Sequence, residues 1–188
     1  MKWYTTLLSI TLLLVLLTAC SSKPSLDLVS KKVEIVKDKK YVGSTILTEG
    51  DKKGQEVIPA ALLYEFKIKN NGNRQIGGTA DTTLKVKFVP SKKLATISKD
   101  IMGFNLFNPS SYYGTGLGYG VQFDGGIKSN KIGKYILTFD LGVTEETSQI
   151  PVRVPSTDKL EKLKENALEG TLIVTSGGKE IANFKLKK

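Results

Sequence analysis

The residues that could perform catalysis are few and far apart in this 188-residue chain. The chain contains no histidine, which removes the most common general base and excludes Ser-His-Asp and Cys-His mechanisms. Ser156 and Lys159 have the Ser-x-x-Lys spacing of a nucleophilic serine and its lysine, but the further motifs that such hydrolases need are missing. A serine at a helix start explains position 156, so we expect no serine-based hydrolysis.

Carboxylates are the remaining candidates for acid and base chemistry or for calcium binding. They do not form the alternating acidic run of an EF-hand, and acids near turns commonly have structural roles. With no histidine, one cysteine and two methionines, zinc and copper sites are not expected either. We therefore expect no metal, no cofactor and no catalytic centre. The candidate carboxylates, which lie near predicted turns, are Asp124, Asp140, Glu145 and Glu146.

The single cysteine, Cys20, ends an N-terminal segment with the features of a secretion signal. Lys2 supplies a positive charge, residues 7–17 supply an apolar stretch, and small residues occupy positions 18 and 19. The apolar stretch is shorter than the about 20 residues that a membrane-spanning helix needs. The pattern therefore predicts a cleaved signal peptide rather than a transmembrane helix.

The tetrapeptide Leu17-Thr18-Ala19-Cys20 resembles the lipobox of bacterial lipoproteins. This resemblance implies cleavage between Ala19 and Cys20, and a Cys20 thiol that carries a diacylglyceryl group, with palmitate as a further acyl chain. Two or more acyl chains anchor a protein stably to a membrane. Residues 1–19 are then the signal peptide and residues 20–27 the lipidated tether. The seven residues after the cysteine span about 23 Å when extended.

The charge of the chain narrows its expected partners. It carries 28 basic and 18 acidic residues, and loss of the leader with Lys2 leaves 27 minus 18, or +9. Only Arg74 and Arg153 are arginines. Because arginine is the usual reader of phosphates and base edges, we expect no nucleic-acid partner. Lysines near a membrane favour anionic lipid headgroups or an anionic wall polymer, and they are also the ordinary composition of a soluble surface.

Hydrophobic alternation with a period of two dominates the rest of the chain and predicts β-strands. Ser176-Gly177-Gly178-Lys179 predicts a hairpin between the last two strands. A single helix is predicted over about 156–168, because leucines 160 and 163 recur on one face and Gly170 follows. Residues 28–188 are therefore predicted to form one antiparallel β-sandwich of seven to nine strands with one short helix. The alternating stretches are 32–36, 63–69, 84–89, 135–141, 172–175 and 181–186.

Longer stretches carry further resemblances. YEFKIKNNGNRQIG, residues 64–77, resembles the early strands of immunoglobulin-like modules in bacterial surface proteins. Together with QIPVRVPSTDKLEKLKENALEGTLIV, residues 149–174, it resembles more loosely the sandwich family of late-embryogenesis-abundant proteins. The lysine-rich composition and the LTAC motif are similar to those of small lipoproteins from Bacillus-type Gram-positive bacteria. These resemblances imply an immunoglobulin-like β-sandwich at the cell surface and imply no chemistry.

Residues 101–123 contain no charged side chain, although 24% of the chain is charged. The segment holds six of the chain's fifteen aromatic residues and a glycine at every second position from 114 to 120. The glycine spacing fits neither a dinucleotide fingerprint nor a Walker motif, so we expect no phosphate cradle. Two alternatives remain: a loop whose aromatics fill the core, or an exposed surface that stacks on a sugar or apolar group and attracts an anionic polymer. The second alternative assigns ligand binding to Tyr112, Tyr113, Tyr119, Lys128 and Lys131.

These features predict a lipid-anchored protein on the extracytoplasmic face of the cell membrane. We expect a non-catalytic binding or structural role at the cell surface or cell wall. The expected partners are the membrane, through Cys20, and an anionic wall polymer, lipid headgroups or a membrane protein. The alternative is an extracytoplasmic carboxylate-dependent enzyme or an enzyme accessory subunit.

Overall fold

The computed structural model describes residues 24–187, and within them eleven strands and three helices. The predicted signal peptide and the predicted cleavage and lipidation sites at Ala19 and Cys20 lie outside these residues. The strands are β1 (Leu26–Val36), β2 (Thr45–Ile46), β3 (Glu56–Val57), β4 (Ala60–Asn70), β5 (Ile76–Gly77), β6 (Leu84–Pro90), β7 (Tyr119–Phe123), β8 (Gly126–Ile127), β9 (Ile132–Gly142), β10 (Gly170–Ser176) and β11 (Lys179–Leu186). The helices are α1 (Lys39–Val42), α2 (Lys92–Met102) and α3 (Thr157–Asn166), and a 3-10 turn covers Pro109–Tyr112.

The seven longer strands form two antiparallel sheets. The four-stranded sheet has the order β1-β4-β9-β7, and the three-stranded sheet has the order β11-β10-β6. The four remaining strands have two residues each and form the small ribbons β2-β3 and β5-β8. The predicted β10-β11 hairpin is present, with Gly177 and Gly178 at positive φ in its turn.

The hydrophobic core lies between the two sheets, on the faces that strand alternation makes apolar. Tyr64 of β4 and Phe88 of β6 are 0% and 3% exposed, and their ring centroids lie 4.9 Å apart across the two sheets. The Tyr64 hydroxyl donates a 2.8 Å hydrogen bond to the carbonyl oxygen of Ala167, at the end of α3. This bond satisfies both buried polar groups and fixes α3 to the sheet.

Two of the helices, α2 and α3, pack against this core. α3 corresponds to the predicted helix, and Leu163 is its buried residue. α2 is an addition to the predicted elements: the Ser91 hydroxyl accepts from the N–H of Leu94, and Gly103 ends the helix with a φ of 78°. Leu94 and Ile97 are buried at a spacing of three residues, a weak signal among the surrounding lysines.

The prediction of a mainly β, antiparallel sandwich with a short helix near 156–168 is confirmed. The eleven strands exceed the predicted seven to nine because four of them have only two residues. A strand of two residues leaves no alternation that a sequence pattern can reveal. Between residues 24 and 187, no helix combines the length and the apolar character needed to cross a bilayer.

Candidate functional site

The charge-free segment 101–123 consists of a packed first part and an exposed second part. Leu106, Phe107 and Tyr112 in the first part are 1%, 8% and 6% exposed. The Phe107 ring lies 5.3 Å from Phe88 in one sheet and 5.1 Å from Phe139 in the other. The first part of the segment therefore fills the core, in agreement with the alternative of a loop whose aromatic side chains pack inside.

The three tyrosines proposed for ligand stacking lie in different environments. Tyr112 is buried, with its ring centroid 5.4 Å from Phe104 and 5.9 Å from Tyr119. Burial, together with the nearby carboxylate of Asp140, raises the pKa of Tyr112 above its usual range. Tyr113 is 96% exposed and Tyr119 is 50% exposed. Tyr112 therefore supports Tyr119 from the core side, and only Tyr113 and Tyr119 present rings to solvent.

The exposed second part of the segment is β7, an outer strand of the four-stranded sheet. Tyr119, Val121 and Phe123 lie opposite the core residues of β9, so their side chains point to the core side of the sheet. They are nevertheless 40–50% exposed, because they extend past the border of the core. We call these three residues the aromatic edge.

The loop before β7 is held by a carboxylate and by a close backbone contact. The Asp140 carboxylate accepts a 2.9 Å hydrogen bond from the N–H of Gly118. Burial raises the pKa of Asp140 from 3.8 to about 6, because the charged form loses solvation. Gly116 has a φ of 66°, and a Cβ there would lie 1.9 Å from the carbonyl oxygen of Gln149. The glycine at this position therefore serves close packing.

The two lysines of the predicted binding site lie away from the tyrosines. Lys128 and Lys131 are exposed in the turn between β8 and β9, where the N–H of Lys131 donates to the carbonyl of Lys128. β9 begins at Ile132, whereas Tyr119 pairs with Phe139. Seven residues of strand separate these points, a distance of roughly 23 Å. The structure therefore does not bring the five predicted residues together.

The outer surface of the three-stranded sheet carries another group of lysines. Lys85 and Lys87 are exposed on β6, and Lys185 is exposed on β11. Strand register places these side chains around Ile173 of the central strand β10, on the surface that faces away from the core. We call Lys85, Lys87 and Lys185 the basic face. No acidic side chain lies within 4 Å of their ammonium groups in the part of the chain that the structure describes.

Lysines on the opposite surface of the sandwich are neutralised. The ammonium groups of Lys32 and Lys134 each lie 2.7 Å from a carboxylate oxygen, that of Glu34 and that of Glu65 respectively. Lys67 lies 3.8 Å from Glu65. The hydrogen bond from Lys134 lowers the pKa of Glu65, whose charge is thereby favoured. The two surfaces therefore differ in electrostatic character although both are rich in lysine.

The remaining carboxylates of the predicted group, Asp124, Glu145 and Glu146, have lysine or backbone partners or lie on the surface. Asp124 accepts a 2.8 Å hydrogen bond from the N–H of Lys134, which is a structural turn role. Glu145 lines a cleft of about 390 Å³ and is paired with Lys52, and this pairing lowers the pKa of Glu145. Glu146 is exposed. No group of three potential metal ligands occurs among residues 24–187.

Ser156 and Lys159 lie on the surface at the start of α3. Ser156 is the N-cap residue, as the sequence predicts, and its side chain makes no capping hydrogen bond. Both residues are exposed, so they do not line an enclosed site.

The basic face was not predicted from the sequence. Alternation across residues 84–89 places Lys85 and Lys87 on one side of a strand, which is a signal available in the sequence. The contribution of Lys185 depends on the strand order β11-β10-β6.

Comparisons with protein-family models, curated proteins and solved structures found no significant match.

Proposed function

We propose that the chain is a lipid-anchored, non-catalytic protein of the extracytoplasmic membrane face that binds phosphate-rich anionic surfaces through its basic face. The observation that supports this proposal is the group Lys85, Lys87 and Lys185, which has no acidic partner within 4 Å among the described residues. Anionic lipid headgroups and anionic wall polymers share the phosphodiester group that such lysines attract.

The expected strength of this attraction follows from the number of lysines. Each lysine close to an anionic bilayer contributes about 1 kcal/mol. Three lysines contribute about 3 kcal/mol, which corresponds to a change of roughly 100-fold in affinity. Ile173, at the centre of the three-stranded sheet, is half-buried, so the middle of this surface is apolar.

The proposed anchor at Cys20 supports the same role. LTAC at residues 17–20 provides the lipidation site, and the tether of residues 20–27 is short. A folded domain held within about 23 Å of the bilayer is at high effective concentration near headgroups and the adjacent wall. Assignment to the small lipoproteins of Bacillus-type Gram-positive bacteria, with an immunoglobulin-like sandwich, belongs to the same proposal.

The test compares two triple variants of residues 21–188 that have the same net charge. K85Q/K87Q/K185Q removes the basic face, whereas K32Q/K67Q/K134Q removes three ion-paired lysines of the opposite surface. We expect the first variant to lose roughly 100-fold in affinity and the second to lose much less, because neutralised lysines attract a surface weakly. Equal losses in both variants would mean that only net charge matters and would refute a specific role of the basic face.

Two probes separate the sources of the phosphodiester ligand. Flotation with vesicles that contain anionic phospholipid measures binding to headgroups, and calorimetry with soluble poly(glycerol phosphate) measures binding to a wall-type polymer. Binding to one probe alone assigns the source, and binding to neither refutes the proposal. Binding is expected to weaken steeply between 50 and 200 mM salt, since counterions screen exposed lysines.

A further inference from the structure

The aromatic edge differs from every other edge of the two main sheets. β1 and β11 each contain a bulge and carry four and three charged residues respectively. β6 carries two lysines and ends in Pro90. β7 contains no charge, no proline and no bulge. Charges, prolines and bulges are the features that prevent a sheet edge from pairing with another chain, so β7 is the one edge of the two main sheets that lacks this protection among the described strands.

The backbone of β7 has the hydrogen-bonding groups for a further strand. The N–H of Asp140 donates to the carbonyl of Gly118, and the N–H of Asp124 donates to the carbonyl of Lys134. These bonds show that even-numbered residues from 118 to 124 direct their backbone groups toward β9. The N–H and C=O groups of Tyr119, Val121 and Phe123 therefore point away from the sheet, and no described strand lies beyond them.

From these features we propose that β7 pairs antiparallel with β7 of a second copy of the chain, about a two-fold axis at Val121. In this register Val121 faces Val121 of the second copy, and Tyr119 faces Phe123 of the second copy at both ends. All three outward N–H groups and all three outward C=O groups of each copy then find partners, which gives six hydrogen bonds by the pattern of antiparallel ladders.

The side chains are compatible with pairing between identical copies. Tyr119 and Phe123 form two cross-strand aromatic pairs, a combination that stabilises antiparallel sheets. Gln122 lies opposite Gly120 of the second copy, so each of these pairs brings only one side chain to the other face, on which α1 contacts β7 and β9. The chain as a whole has a net charge of +10, but no charge lies between residues 101 and 123. Two copies can therefore approach along this edge without opposing like charges.

The size of the contact indicates a weak association in dilute solution. Aromatic side chains offer about 150–250 Å² each, so the exposed fractions of the aromatic edge amount to roughly 200–300 Å² per copy. A stable dimer typically buries about 800 Å² per partner. Pairing is therefore expected where copies are concentrated, and a shared membrane provides such a condition.

The two-fold axis has a consequence for the basic face. An axis perpendicular to the four-stranded sheet leaves both three-stranded sheets on the same side of the paired sheets. The basic faces of both copies then point in one direction and present six lysines to one flat surface. This consequence rests on the proposed function, as does the shared membrane that concentrates the copies, whereas the geometry of the strand pairing rests on β7 alone.

Cysteine cross-linking of the full chain in the membranes of the expressing bacterium tests the pairing. Opposite residues in a hydrogen-bonded antiparallel pair have Cα atoms about 5.5 Å apart, which suits a disulfide. V121C should give a band of twice the chain mass after oxidation, at least about tenfold stronger than in V29C. Val29 is a matched control because it is 48% exposed, against 42% for Val121, on the opposite edge of the same sheet. The wild type, whose only cysteine is Cys20, gives the background.

Two double variants in the V121C background test the register. Y119K/F123E places a lysine opposite a glutamate of the second copy at both ends, whereas Y119K/F123K places lysine opposite lysine. We expect Y119K/F123E to keep the dimer band and Y119K/F123K to lower it about tenfold, because like charges directly opposite destabilise a strand pair. Thermal melting confirms that each variant is folded.

Three results would overturn the proposal. The first is V121C dimer yield no higher than in V29C. The second is a cross-linked band of another mass, which would assign the edge to a different protein. The third is equal loss in both double variants, which excludes the antiparallel register. The triple lysine variants of the basic face test a separate surface, so failure of one proposal leaves the other intact.

Discussion

Replacing Asp140 with asparagine is expected to stabilise the protein at neutral pH and to have little effect near pH 4. Burial raises the pKa of Asp140 from 3.8 to about 6, so the folded state binds the carboxyl proton more tightly than the unfolded state does. The stability that this proton provides is present below pH 3.8 and is lost as the pH rises through about 6.

The expected magnitude follows from the size of the pKa shift. A difference of about 2 pKa units at about 1.4 kcal/mol each means that ionisation of Asp140 costs up to about 3 kcal/mol at pH 7. Asparagine removes this cost and keeps an oxygen that accepts from the N–H of Gly118, although a neutral acceptor is weaker. We therefore expect D140N to gain about 1–2 kcal/mol at pH 7, a rise in melting temperature of roughly 3–6 °C.

Urea unfolding of residues 21–188 at pH 4 and pH 7 measures this effect. Asp124 provides a matched control, because its exposed carboxylate also accepts a backbone N–H, that of Lys134. D124N should change the free energy of unfolding by nearly the same amount at both pH values, with a difference of less than about 0.5 kcal/mol. The reasoning would be refuted if D140N were less stable than the wild type at pH 7, or if its gain in free energy of unfolding were equal at both pH values. Either result would show that ionisation of Asp140 does not destabilise the folded state.

The other predictions concern the core and the anchor. Y64F leaves the buried carbonyl of Ala167 without its 2.8 Å hydrogen bond, so it should lower the free energy of unfolding by about 1–2 kcal/mol in a denaturation assay. Y113F is the control: this residue is 96% exposed, and its substitution should have no measurable effect in the same assay. An unchanged stability of Y64F would mean that the bond adds nothing. C20A should move the protein from the membrane fraction to the medium or leave it as the uncleaved precursor, as fractionation and mass measurement will show. Wild-type fractionation of C20A with the wild-type mass would contradict lipidation at this cysteine.

Local sequence patterns were sufficient for most of the fold. Alternation over 63–69 and 84–89 predicted strands β4 and β6, and a pair of glycines at 177 and 178 predicted the β10-β11 hairpin. α3 was recognisable because leucines at helical spacing follow a serine at the N-cap position. The sequence did not predict α2, because lysines separate its few apolar residues. Its apolar face is identified in the structure by its contact with the core.

Absence of charge in residues 101–123 marked a segment under constraint, but it did not determine which side chains are exposed. Tyr112 and Tyr119 are both tyrosines in the same neutral segment, and one is 6% and the other 50% exposed. The difference arises because Tyr112 precedes β7 and packs under it, whereas Tyr119 lies on the outermost strand.

The sequence by itself determined that the chain has no histidine and a single cysteine, it predicted lipidation at Cys20, and it supplied the alternation that produces a sandwich. These properties depend on residue types and on spacing along one strand or helix. The tertiary structure decided that β7 is an edge, that Lys185 joins Lys85 and Lys87, and that Lys128 and Lys131 lie far from Tyr119. These properties depend on strand order, which arises from contacts between residues distant in the chain. Alternation specifies the face of a strand on which a residue lies, but it does not specify the neighbouring strand.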